Sequence, residues 1–221
     1  MSILFVLLTF LLIITITYFI KGKDEVLQAS AGAQPADPRM RLELGFEIPK
    51  DYAFHPGHTW AIDEGRQNAR VGLDSFAANV LGKVDRIEVA GVNRWVRQGQ
   101  KLMTVTSGST SVDMLSPAEG IVISVNPEVI NDPNAAVRDP YKSGWIATIK
   151  SPDLATNMRN LVSGPLVAPW MQNTLGRLST MAAQSGAPVP VAADGGVPVS
   201  GLLSKLEPVL QRRIIHEFFL T

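Results

Sequence analysis

Residues 96–125 read V-R-Q-G-Q-K-L-M-T-V-T-S-G-S-T-S-V-D-M-L-S-P-A-E-G-I-V-I-S-V. The apolar runs in this stretch are short. Leu102–Thr106, Val112–Leu115 and Gly120–Val125 hold four to six residues each and are separated by Ser, Gly, Thr, Pro and Glu. Runs of that length bounded by turn formers predict strands. Between the first two, Thr106-Ser107-Gly108-Ser109-Thr110 is hairpin-turn material, because Gly and Ser accept a tight reversal at little steric cost. The same texture continues outward, with His58–Ile62, Ala69–Gly72 and Val84–Val89 before it and Trp145–Lys150 after it. Only Asp74–Leu81 reads as a helix in this region, with Asp74 as its cap. Many short strands at close spacing predict a mainly β domain over residues 46–151, a sandwich or barrel.

The texture changes on both flanks. Ile3–Ile20 holds eighteen residues without a charge, a length of about 27 Å as a helix and close to a bilayer's hydrocarbon thickness. Tyr18 sits where an interfacial aromatic belongs, and Lys21 and Lys23 close the segment. Residues 1–23 are therefore expected to be one transmembrane helix that anchors the chain in the bilayer through residues 3–20. A cleaved signal peptide is the competing reading, since Ala29-Ser30-Ala31 has the small-x-small form of a cleavage site. The apolar run is longer than the usual ~7–15 residues, and K-G-K-D-E separates it from that site. Lys21, Lys23, Arg39 and Arg41 all follow the span, which predicts a single-pass protein with its body on the cytoplasmic side. Residues 24–45, with small residues and prolines and no apolar period, read as a linker.

Residues 152–185 read as a helical extension. Leu154–Leu161 is one piece, and Leu166–Ala183 is a longer one beyond Gly164-Pro165, with Pro169 in its first turn. Residues 186–199 form a Pro/Gly/Ala-rich linker. Residues 200–221 predict a C-terminal amphipathic helix with Leu203, Leu206, Leu210, Ile214 and Phe218 on one stripe. That stripe either packs on the β domain or serves as a docking element for a partner.

Composition narrows the chemistry. Lys+Arg and Asp+Glu are both 20 among 221 residues, so no charge excess marks a nucleic-acid surface, and no nucleic acid is expected as partner. Cysteine is absent, which removes disulfides, thiolate nucleophiles and Cys-based metal sites. Of the three histidines, His55 and His58 flank Pro56-Gly57 in a loop. Two imidazoles fall short of the about three or four protein ligands zinc takes, so no metal is expected. There is no G-x-S-x-G, no phosphate-binding glycine loop and no H-E-x-x-H. No catalytic residue is assigned, and the chain is not expected to be an enzyme. His58 is expected to pack beside Trp60. The glycines at 72, 82, 91, 99, 108 and 120 are spaced like turns between strands, where positive φ or tight reversal explains them.

Several segments in order carry a resemblance. They are His58-Thr59-Trp60, Val71-Gly72-Leu73 with Leu81-Gly82, Val96-Arg97-Gln98-Gly99-Gln100, Ser116-Pro117-Ala118-Glu119-Gly120, and Asp139-Pro140-Tyr141 with Gly144-Trp145. Together they resemble the H proteins of glycine cleavage over about residues 55–151. The resemblance implies a flattened β-barrel sandwich of the lipoyl/biotinyl-carrier type. In that family the hairpin reads E-S-V-K-A, and its lysine carries lipoate through an amide. Here the alignment from Val105 to Ser116 needs no gap, and Ser109 falls at the lysine, with Thr106 in place of the preceding glutamate. Ser109 is thus a degenerate lipoyl position, since a hydroxyl forms no amide and has no long aliphatic stem. Lys101 lies eight residues upstream, before the strand, and Lys83 lies before another strand. No cofactor is expected.

The sequence therefore predicts a non-catalytic, membrane-anchored scaffold or interaction subunit. Its expected partners are proteins of a membrane complex, with respiratory and photosynthetic assemblies the classes considered. The alternative is a lipoyl carrier in a glycine cleavage-type relay. A periplasmic efflux adaptor would need a long helical insertion where only about ten residues separate Thr106 from Ser116.

Overall fold

Asp74 caps the one helix expected inside the β region: its Oδ1 accepts the Ala77 N–H at 2.8 Å, and α1 spans Ser75–Leu81. The computed structural model describes residues 40–43, 45–184 and 200–220. The anchor placed on residues 3–20 and the linker of residues 186–199 lie outside the described residues. Among those described, no helix is long and apolar enough to cross a membrane.

Around α1 run eleven described strands: β1 (Met40–Glu43), β2 (Phe46–Pro49), β3 (Ala53–Phe54), β4 (Thr59–Asp63), β5 (Asn68–Leu73), β6 (Arg86–Val89), β7 (Trp95–Val96), β8 (Lys101–Ser107), β9 (Thr110–Leu115), β10 (Gly120–Val125) and β11 (Ala147–Lys150). Two short helices, α2 (Pro127–Asn131) and α3 (Ala135–Arg138), lead into β11. All seven expected strands occur within two residues of their expected bounds. They pair antiparallel throughout. The barrel implied by the resemblance is divided, however, into a six-stranded sheet ordered β3-β4-β5-β11-β10-β7, a three-stranded sheet β6-β8-β9 and the hairpin β1-β2. One hydrophobic core joins them, centred on Phe54, Trp60, Phe76, Met103, Met114 and Ile149.

Two expectations need correction. The linker of residues 24–45 ends in a strand: β1 pairs with β2 from Met40↔Pro49 to Glu43↔Phe46. Phe46 and Ile48 are buried beneath that hairpin, with the Phe46 ring edge-on to Phe76 at 6.5 Å. The alternating side chains of F-E-I-P needed a partner that their own length did not reveal. The C-terminal helix, expected over residues 200–221, is shorter. A 3₁₀ turn spans Leu203–Lys205, and Pro208 opens the last helix at its first turn, where its missing N–H costs nothing.

The helices after the β region are α4 (Leu154–Arg159), α5 (Val167–Gln184) and α6 (Pro208–Phe219). They are built into the core. Leu210, Ile214, Phe218 and Phe219 of α6 are buried, each worth about 1.5–3 kcal/mol of apolar transfer. His58 is the junction. Its ring stacks on Phe76 at 4.2 Å and on Trp170 of α5 at 5.0 Å, with Phe218 and Phe219 at 6.3 and 6.2 Å. The indole beside His58 is therefore Trp170. Trp60 instead meets Tyr52 edge-on at 4.8 Å. His58 Nδ1 lies 2.7 Å from Asp74 Oδ2, so the residue that caps α1 also orients the imidazole under α5 and α6. The stripe on the last helix is spent in cis on the β body, the first of the two arrangements the sequence allowed.

Candidate functional site

The hairpin between β8 and β9 is where the sequence placed the one candidate position. The strands pair in one register from Met103↔Met114 to Ser107↔Thr110, with a bulge before Met103 that brings Lys101 opposite Leu115, leaving Gly108 and Ser109 as a two-residue turn. Gly108 has φ +58 while Ser109 is not among the positive-φ residues, the pattern of a primed turn with glycine first. That turn matches the right-handed twist of the strands. Along β9, Val112 and Met114 point into the core, whereas Ser111 and Asp113 face outward. Ser109 therefore sits at the tip, exposed.

The tip is held from three sides. The Gly108 N–H donates to Asp85 Oδ2 at 2.7 Å, an exposed contact spanning 23 residues of sequence. The Ser107 hydroxyl reaches the Leu81 carbonyl at 3.4 Å. The Thr110 hydroxyl donates to Gln211 Oε1 on α6 at 3.3 Å. The amide of Gln211 is itself fixed, donating to the carbonyls of Leu203 at 2.7 Å and Leu206 at 2.9 Å. Donation from Gly108, then the hydrogen bond and charge of Lys83, hold the Asp85 carboxyl below the usual carboxylate range. The far end of the hairpin has its own clasp. Lys101 Nζ lies 2.7 Å from Asp113 Oδ1, and the Thr104 hydroxyl donates to the same oxygen at 2.7 Å. Burial pushes the Asp113 carboxyl up, but these two hydrogen bonds and the Lys101 charge outweigh it and hold it below the usual range.

The lysines divide accordingly. Lys101 starts β8, six residues before its end, and about 20 Å from the tip at the rise of an extended strand. Lys83 is different. The sequence sets it aside as preceding another strand, yet its Nζ lies 3.1 Å from Asp85 Oδ1 while Oδ2 of the same carboxylate accepts from Gly108. One carboxylate thus separates an amine that is 78% exposed from the hairpin turn. The pairing of β6 with β8, Arg86↔Thr106 to Val89↔Met103, creates this proximity. The run D-R-I-E-V shows a strand but not its neighbour, so sequence reading missed it.

The histidines lie elsewhere. His55 Nδ1 accepts the Gly57 N–H at 3.0 Å, and burial, with the nearby His58 second, pushes its pKa down to about 4. Among the described residues no three His, Asp or Glu side chains cluster as metal ligands, and no histidine bonds Ser109. The tip presents a hydroxyl and, beside it, an amine; it holds no paired nucleophile and base.

The described residues form a mainly antiparallel β domain that displays a pinned two-residue hairpin turn. The chain belongs to the glycine cleavage H-protein family, whose model matches residues 52–173. It is 34% identical over 108 residues to the glycine cleavage system H protein of Thermus thermophilus, covering 49% of this chain and 84% of that protein. It is 31% identical over 121 residues to the corresponding protein of Prochlorococcus marinus, covering 55% and 92%. A solved glycine cleavage system H protein from Mycobacterium marinum is 28% identical over 48% of this chain and 87% of that one, with a TM-score of 0.44.

Proposed function

We propose that this chain is a non-catalytic scaffold or interaction subunit of a membrane protein complex, anchored through residues 3–20 with its H-like domain on the cytoplasmic side and carrying no lipoyl group. The observation that carries the reading is the hairpin itself: Ser109 occupies a tip that is formed, in register and tied down by Asp85 and Gln211. A serine hydroxyl gives no lipoyl amide, so a retained hairpin without its lysine points to use of the surface. Reuse of a docking fold for assembly is an analogy from the family. The eighteen uncharged residues of the N-terminal run and the basic residues after it support the anchor and its orientation.

Purification from native membranes in mild detergent tests the assembly role. Stable co-migration with a defined set of subunits is expected; a lone monomer refutes it. A reporter fused after Thr221, active only in the cytoplasm, tests the orientation.

Lys83 favours a second reading, an acyl carrier whose amine has moved from the turn to the neighbouring loop. There Lys83 Nζ would attack the carbonyl of an acyl adenylate supplied by a ligase, with AMP leaving and the amine proton passing to solvent. Intact-mass measurement after co-expression with a lipoate ligase separates the two, because the scaffold reading requires an unchanged mass.

A further inference from the structure

Helices α5 and α6 leave between them a groove of about 950 Å³, lined on α6 by the flank beside its buried stripe. Its charge is unbalanced. Arg177, Arg212, Arg213 and His216 line it against a single described carboxylate, Glu217. That carboxylate is already engaged, since Glu217 pairs with the Arg177 guanidinium, which also lies 5.2 Å over the Phe218 ring. Arg212 and Arg213 are exposed and have no carboxylate partner among the described residues. Beside them Val209 is 63% exposed, and Met181 closes the groove from α5.

We propose that this groove binds an acidic, amphipathic segment of a protein partner, its carboxylates on Arg212 and Arg213 and its apolar side chains on Val209 and Met181. This deepens the scaffold reading, on which it rests, by giving it a docking surface. Shape and charge select the occupant. The lining on α5 runs from Asn173 to Gln184, about 17 Å of helix, enough for roughly three turns of a bound helix. The apolar contacts the groove offers, Val209 and Met181, are isolated side chains that suit a segment with spaced apolar residues rather than a continuous acyl surface. A second copy docked through the same face would set arginine against arginine. Within this chain, residues 185–199 carry Asp194 as their one charged side chain, too little to satisfy both guanidinium groups, and residues 24–38 carry Asp24, Glu25 and Asp37 but also Gly32, Pro35 and Pro38, which break the helical spacing an amphipathic segment needs.

The probe is a fluorescein-labelled synthetic peptide of about 14 residues with leucines at helical spacing and glutamates elsewhere, titrated into the full-length chain in detergent and followed by anisotropy. Saturable binding is expected, weakened at least about tenfold by Arg212→Glu/Arg213→Glu and similarly by raising salt from about 50 to about 500 mM. Both positions are exposed, and an unchanged melting temperature shows that the variant is folded. No binding, or equal binding by both proteins, overturns the proposal. So does Arg212/Arg213-dependent binding of phosphatidylglycerol vesicles without peptide binding, which assigns the groove to lipid. A dimer that the same substitutions dissociate in sedimentation overturns it in favour of self-association. In native membranes, a substituted chain that still co-purifies with its full complex refutes the groove and leaves the scaffold. A wild-type chain that emerges alone refutes the scaffold itself.

Discussion

Gly72 is the position at which one methyl group should do the most damage. It lies inside β5, opposite Trp60 in the β4–β5 register, and its φ is not positive. Its reason for being glycine is space. A Cβ built there falls 2.6 Å from Trp60 Cζ2, 2.7 Å from Cε2 and 2.9 Å from Nε1. The indole has nowhere to go: it is 0% exposed, its Nε1 donates to the Pro140 carbonyl at 3.1 Å, and Tyr52 abuts it. Overpacking of this kind costs about 1–3 kcal/mol. A shift that breaks the Nε1 bond leaves a buried donor unpaired, worth about 1–3 kcal/mol more. Gly72→Ala should therefore destabilise by about 3 kcal/mol, or about 6–12 °C in melting temperature for a chain of this size. Thermal and urea unfolding measure it. The decisive control is Gly72→Ala/Trp60→Leu, in which the smaller side chain makes room for the methyl, so the pair should be at least about 1 kcal/mol more stable than the sum of the single changes. A single-variant loss below about 1 kcal/mol, or strict additivity, refutes the steric account.

Further outcomes follow from the same contacts. His55 titrates near 4 in the fold against about 6.5 in the unfolded chain. The unfolded state therefore binds the proton first, and stability falls as pH drops from about 6.5 to 4. His55→Gln should flatten that limb by about 2–3 kcal/mol in urea titrations across this window; an unchanged limb contradicts a half-buried imidazole held neutral. Ile214→Ala opens a cavity where the side chain is 0% exposed and should cost about 2–5 kcal/mol by urea unfolding, with faster proteolysis of the C-terminal helix. Asp85→Asn weakens the acceptor of the Gly108 N–H, so the Gly108 amide should exchange with deuterium faster while core amides of β8 stay protected. On the scaffold reading, Lys83→Arg after ligase co-expression should differ in intact mass from the wild type only by the mass of the substitution, whereas loss of an added acyl mass establishes the carrier.

Much was legible from local pattern alone. Short apolar runs between turn formers located seven strands, Asp74 was recognisable as a cap, and the spacing of hydrophobic residues marked α5 and the last helix. These features depend on residues close in sequence, so periodicity and turn chemistry suffice. Ser109 at the hairpin tip was legible too, because Thr106-Ser107-Gly108-Ser109-Thr110 reads as turn material between two short strands. The two-residue strands β3 and β7 were not, since such a segment has no period of its own.

The tertiary structure decided the rest, and in each case through pairs distant in sequence. Turn spacing suggested one explanation for all the glycines, and Gly82, Gly99, Gly108 and Gly120 do have positive φ. Gly72 and Gly91 do not, and at Gly72 only the β4 neighbour Trp60 accounts for the glycine. His58 looked like a companion of Trp60, but the fold brings Trp170 to it from α5. Lys83 looked remote from the hairpin until β6 paired with β8 and set its amine across Asp85 from Gly108. A one-dimensional pattern shows which faces are apolar and where the chain turns. It does not show which buried face meets which, because that choice is made by packing the whole core at once, and it is that choice that placed the Lys83 amine across Asp85 from the β8–β9 turn.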